Sequence, residues 1–124
     1  MLKASLELEE GDAGALRERA DELLAWRRSR HPAGATMGST FMNPPDNHAG
    51  RLIEQAGLKG YCVGGARISG LHANFLMNEG HATAEDVLAL IQHIQQEVQQ
   101  QSGVSLELEI ELLGWEANGA EECE

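Results

Sequence analysis

Residues 61–100 read YCVGGARISGLHANFLMNEGHATAEDVLALIQHIQQEVQQ, and the hydrophobic period changes part-way through them. Tyr61 to Ser69 and Asn74 to Asn78 are short apolar-rich runs bounded by turn-forming residues, which predicts two short strands joined through Gly70-Leu71-His72. Gly64-Gly65 punctuates the first run, where a bulge or a close approach of backbone is expected. From Thr83 onward the period becomes helical. Thr83 serves as N-cap, Glu85 and Asp86 occupy the first turn, and Val87, Leu88, Leu90, Ile91, Ile94 and Val98 form one stripe. This predicts a helix from about Ala84 to Gln100, stopped by Ser102-Gly103.

Working outward, Leu106, Leu108, Ile110 and Leu112 alternate with Glu107, Glu109 and Glu111, the pattern of a half-buried strand. Beyond it, residues 115–124 are acidic and glycine-containing, and a solvated, flexible tail is expected there. Upstream, Ala49, Leu52, Ile53 and Ala56 share one helical face, with Asp46 or Asn47 as N-cap and Gly57 as stop. Ser29 to Asn47 is broken by Pro32, Gly34, Gly38, Pro44 and Pro45 and reads as a long loop of the kind that carries function. Before it, Asp12 caps a helix over Ala13 to Arg28, with Leu16, Ala20, Leu23 and Leu24 on one face and Arg27, Arg28 and Arg30 at the end that favours cations. Residues Ala4 to Glu9 alternate with period two and predict a further strand. Strands separated by helices without a regular repeat predict an α+β fold, a small antiparallel or mixed sheet with helices packed on one face.

At 124 residues the chain can enclose one core and leaves no room for a large cofactor domain. With 42% apolar and 23% charged residues it has the composition of an ordinary globule. Nine basic against 20 acidic side chains give a net charge of −11, which argues against nucleic acid and anionic membrane surfaces as partners. A small anionic ligand is still open to it, because local cations and backbone N–H donors dominate at short range. Cys62 and Cys123 are far apart and stand in no metal-ligand spacing, so no metal is expected and the thiols read as reduced. The first residues lack a signal-peptide pattern and no apolar run nears the roughly 20 residues of a membrane span, so the expected location is cytoplasmic.

Four segments stand in a telling order: Arg30-His31-Pro32, then Gly38-Ser39-Thr40-Phe41-Met42-Asn43-Pro44, then residues 49–60 (AGRLIEQAGLKG), then His72-Ala73-Asn74-Phe75. Each alone is weak. Together, in this order and spacing, they resemble the C-terminal, substrate-binding portion of the UDP-N-acetylenolpyruvoylglucosamine reductases, over residues 1 to about 114. The resemblance implies a flavoenzyme of peptidoglycan synthesis that reduces UDP-N-acetylglucosamine enolpyruvate to UDP-N-acetylmuramate. NADPH is the reductant and flavin adenine dinucleotide (FAD) the bound cofactor.

On this resemblance Ser39 is the serine that protonates the enol, and Glu109, in the segment Glu109-Ile110-Glu111-Leu112-Leu113-Gly114, takes the position of the second catalytic acid. Arg30, Asn43 and His72 match contacts to the nucleotide diphosphate. Local physics alone offers blander roles: a loop serine bonded to its own backbone, a solvated acidic strand face, a cation at a helix end, a turn former before Pro44 and a loop imidazole. Glu111 departs from the family, which usually carries Arg there, and His31 stands where Gln is more common. Lys59, Arg51 and Arg67 add local positive charge without an assigned role.

No GxGxxG turn is present, so the resemblance implies that FAD is held mainly by N-terminal domains outside this chain. The expected organisation is a strand and helix over residues 1–31 belonging to the end of the flavin-binding portion, a substrate-binding domain over 32–114, and the tail. Alone, the chain is expected to be inactive. Its expected partner is the FAD-binding portion of the same enzyme, and the face left exposed without it predicts self-association. The competing reading is a free-standing, non-catalytic UDP-sugar-binding or interaction module.

Overall fold

The Gly64-Gly65 pair turns the chain back on itself, so that β2 (Cys62–Val63) and β3 (Ala66–Ile68) form a tight hairpin with Val63 opposite Ala66. Gly64 has φ 52°, a left-handed conformation that two-residue hairpin turns require and glycine adopts without strain. Space also demands glycine here. A Cβ on Gly65 would lie 2.4 Å from the backbone nitrogen of Ala82, and the Gly65 N–H donates to Asp86 Oδ2 at 3.2 Å. The close backbone approach expected at this pair is therefore present, and the run from Tyr61 to Ser69 is two strands, not one.

The computed structural model describes residues 3–114, and the expected acidic tail lies outside them. Two further strands, β1 (Thr36–Ser39) and β4 (Phe75–Asn78), complete an antiparallel sheet of order β1-β4-β3-β2. Of the two sheet types expected, the antiparallel one is found. Strand β1 lies inside the stretch expected to be a loop. Its pairing with β4 is a long-range contact that overrides the local breakers, and Gly38 contributes by taking φ 83° where β1 carries an extra residue.

Helix α3 (Ala84–Ser102) packs on β2 and β3, and α2 (Ala49–Gln55) packs on α3. At the start of α3, Thr83 Oγ1 accepts the Asp86 N–H at 3.1 Å and Asp86 Oδ2 accepts the Thr83 N–H at 3.0 Å, a reciprocal capping box. Gly103 ends it with φ 70°. Leu90, Ile91, Ile94 and Val98 are buried on α3 and meet Leu52 and Ile53 of α2, Ile68, Leu76, Phe41 and Leu106 in one core. Each such side chain contributes roughly 1.5–3 kcal/mol by leaving water.

Three further sequence expectations fail. Residues 3–12 have no regular secondary structure, and Leu6 and Leu8 are 83% and 84% exposed: alternation makes a strand only when a neighbouring strand accepts it. Leu106 to Leu112 forms a single bridge, Phe41 with Leu108, instead of a strand, although Leu106 is buried, Leu108 and Ile110 are partly so, and the three glutamates are exposed as the pattern requires. The N-cap of α2 is His48, not Asp46 or Asn47.

The chain divides into two units that part between His31 and Pro32. In the first, α1 (Ala13–Arg30) is capped by Asp12, whose Oδ2 accepts the Ala15 N–H at 2.7 Å, and it buries no residue.

Candidate functional site

The extra residue in β1 sets the position of Ser39. Three residue steps from Thr36 to Ser39 span only two from Met77 to Phe75, so the chain swings at Gly38 and Ser39 emerges half-buried opposite Phe75. Among the described residues, none hydrogen-bonds the Ser39 hydroxyl, so it is not tied to its own backbone.

The next three residues are held on both edges. On one side the Thr40 N–H donates to the Asn74 carbonyl at 2.9 Å, the Phe41 N–H donates to Asn74 Oδ1 at 2.9 Å, and Asn74 Nδ2 donates to the Phe41 carbonyl at 2.8 Å. On the other, the Glu109 N–H donates to the Thr40 carbonyl and the Met42 N–H to the Glu107 carbonyl, both at 2.9 Å. Glu109 thus lies across the ladder from the residue next to Ser39, with its side chain exposed. The Thr40 side chain is fully buried and its Oγ1 has no partner among the described residues.

Asn43 comes directly after this segment and turns inward to α2, its Oδ1 accepting the Ala49 N–H at 3.0 Å. The oxygen is committed to the helix start, which leaves the amide N–H donors as the groups Asn43 can offer a ligand. His72 sits in the turn before β4, where its Nδ1 accepts the Asn74 N–H at 3.3 Å and its ring meets Phe75 edge-on at 4.7 Å. Gly50 of α2 makes room for it: a Cβ there would stand 3.2 Å from His72 Cε1.

Beside His72 is a hollow of about 180 Å3 to which Arg51, Glu54 and Lys59 also contribute, with Lys59 Nζ 2.6 Å from Glu54 Oε1. A roomier cleft of about 400 Å3 lies between Ala35–Met37, Leu76–Asn78 and the start of α3, but no titratable side chain lines it. Volume favours the cleft and chemistry favours the hollow; for an anionic ligand the hollow is the better candidate.

Ser39, Asn43, His72 and Glu109 therefore belong to one neighbourhood of the second unit. Arg30 is in the first unit, its guanidinium carbon 5.2 Å from the centre of the Trp26 ring. Glu111, at the position where Arg was expected from the family pattern, is exposed. Sequence reasoning missed Asn74. Its only signal was membership of the His-Ala-Asn turn, two residues after His72. Among the described residues no group of three His, Cys, Asp or Glu side chains is placed to hold a metal, and no helix is long and apolar enough to cross a membrane.

A family model described as UDP-N-acetylenolpyruvoylglucosamine reductase, C-terminal domain, matches residues 30–113. The chain belongs to this family. Among the reductases similar to it, that of Moorella thermoacetica is 48% identical over 115 residues, 92% of this chain and 38% of that protein. The reductase of Myxococcus xanthus is 49% identical over 108 residues, 86% of this chain and 35% of that protein. The crystal structure of the reductase from Thermus caldophilus superimposes with a TM-score of 0.71 at 41% identity, covering 85% of this chain and 37% of that one. The chain thus spans little more than a third of the length of these reductases, and its α+β fold is that of their C-terminal domain.

Proposed function

We propose that this chain is the substrate-binding part of an enzyme that reduces UDP-N-acetylglucosamine enolpyruvate to UDP-N-acetylmuramate, with Ser39 as the proton donor to the enol. The observation that carries the reading is the pairing of Thr40 with Glu109, because it brings the two acids that the family resemblance assigns, Ser39 and Glu109, to neighbouring positions on one ladder. Membership of the family and the unbonded Ser39 hydroxyl support it further.

The flavin that the family implies finds no fitting cradle among the described residues. The Gly64-Gly65 turn has the small residues such a cradle needs, but the Asp86 carboxylate already fills the space over Gly64 and takes the Gly65 N–H. FAD, reduced by NADPH and able to supply a hydride, is assigned to the portion of the reductase outside this chain, and the isolated chain is inactive on this reading.

Binding and the proton fall to the residues of this chain. The Ser39 Oγ–H donates to the carbon next to the substrate carboxylate, and Glu109 stabilises the enol while that proton moves; positioned general acids of this kind contribute about 10²–10⁴-fold. A hydroxyl is a weak acid, so its transient alkoxide character requires nearby donors or cations. Asn43, His72 and Arg30 are the groups proposed to hold the nucleotide diphosphate, through amide, imidazole and guanidinium N–H donors.

The test is complementation. Adding a flavin-binding polypeptide from the family to this chain should restore NADPH oxidation that depends on the enolpyruvyl nucleotide. No restoration, together with tight binding of the nucleotide sugar by the chain alone, would point instead to a free-standing binding module.

A further inference from the structure

Asn74 is 4% exposed, and its amide makes two hydrogen bonds to the backbone of Phe41, one in each direction. A carboxamide has the same donor and acceptor arrangement as a peptide group, and here it stands in for one. The backbone of β4 leaves the sheet at this point: the Phe75 N–H closes a turn onto the His72 carbonyl, and the Asn74 N–H is directed to the His72 ring. The side chain continues the ladder along the segment 40–42 after the main chain has turned away. With 107–109 on the opposite edge, that segment is held as an inner strand, although β1 ends at Ser39.

From this arrangement we infer that Asn74 is a positioning residue for proton transfer, fixing Ser39 relative to Glu109. The inference rests on the roles proposed for those two residues. Past the bulge at Gly38, Ser39 pairs with Phe75, and on its C-terminal side it is anchored through Thr40 and Phe41. Remove the Asn74 amide and two of the three bonds holding that anchor to β4 vanish, leaving a buried peptide N–H and C=O without partners. Glu109 is bonded to the same segment through Thr40, so the two acids stay in register only while the segment is fixed.

Asn74→Ala removes both bonds. Asn74→Asp keeps the shape and the acceptor but sets a carboxylate oxygen against the Phe41 carbonyl, and it serves as the second variant should the first not fold. In the complemented enzyme each should lower kcat by about 100-fold, the cost of a displacement of roughly 1 Å. KM for the enolpyruvyl nucleotide should stay within about threefold, since substrate contacts are made elsewhere. Combining either with Ser39→Ala should add nothing to the loss from Ser39→Ala alone, because a misplaced donor and an absent one are equivalent. An additive loss, or a KM rising in step with the fall in kcat, overturns the inference.

A second readout needs no activity. In the chain alone, amide exchange of Phe41 should quicken by about tenfold in Asn74→Ala, which removes the acceptor of that N–H, and less in Asn74→Asp, which keeps it, while Leu90 to Val98 keep their protection. Unchanged exchange at Phe41 overturns the clamp. If the wild-type combination shows no turnover, the functional reading fails while the exchange result still decides whether Asn74 holds the segment.

Discussion

Helices α1 and α3 are nearly equal in length, 18 and 19 residues, each has a side-chain N-cap, and they stand on opposite physical footings. α3 buries four apolar residues, joins its cap to the β2–β3 turn through Asp86 and ends on a left-handed glycine. α1 buries none, and Leu16, Leu23, Leu24 and Trp26 are about half-exposed or more. Helical propensity and capping are enough to define a helix, but only packing makes it part of a cooperative unit. The family model begins at Arg30, the last residue of α1, while the Moorella thermoacetica reductase aligns over 92% of this chain. The apolar residues of α1 therefore belong to sequence that the reductases share ahead of their C-terminal domain.

The comparison can be broken by substitution. Ile94→Ala, at a fully buried position of α3, should cost about 2–5 kcal/mol and shift the urea midpoint of the second unit accordingly. If it costs less than Leu23→Ala on α1, the contrast between the helices is wrong. Gly65→Ala should come next at about 1–3 kcal/mol, because the added methyl meets backbone at Ala82 and no flexible side chain is there to yield. Thr83→Ala removes the cap of α3 and should cost about 1 kcal/mol in the same denaturation measurement. Leu23→Ala, the smallest, should stay within about 0.5 kcal/mol.

Acid sharpens the same point. The Thr83 N–H, and after it the Gly65 N–H, hold the Asp86 carboxyl below its ordinary value of 3.8. A depressed pKa in the folded state means that this contribution is complete above the unfolded value and is lost as pH falls through the folded one. Stability of the second unit should therefore decline as pH drops below 3.8, and Asp86→Asn should flatten part of that decline. An unaltered acid profile in the variant would remove Asp86 from the account of how α3 and the hairpin are joined.

The same contrast explains how far the fold could be read from the sequence. α3 was legible because cap, period and stop are local and agree. Strand β1 was not, since Gly38 and the flanking prolines argue locally for a loop and the partner Phe75 lies far along the chain. Leu106 to Ile110 showed its buried and exposed faces correctly while Leu112 is exposed, and its ladder is short because the partner turns off at Asn43-Pro44 beyond one end and bulges at Gly38 beyond the other. Asn43 reads locally as a turn former, yet its oxygen serves the start of α2, which the sequence assigned to Asp46 or Asn47. Ser39 and Glu109 became candidates through resemblance to the family, and nothing local singles them out. Asn74 was illegible for a different reason: its function as a substitute peptide group exists only once Phe41, 33 positions away, has come alongside.

The measurement that bears most directly on the central claim is the turnover of Ser39→Ala in this chain supplied with a flavin-binding portion from the family. The account predicts that NADPH oxidation dependent on the enolpyruvyl nucleotide falls by about 10²–10⁴-fold relative to the unsubstituted chain, with nucleotide affinity retained. Turnover that survives the loss of the hydroxyl would contradict it.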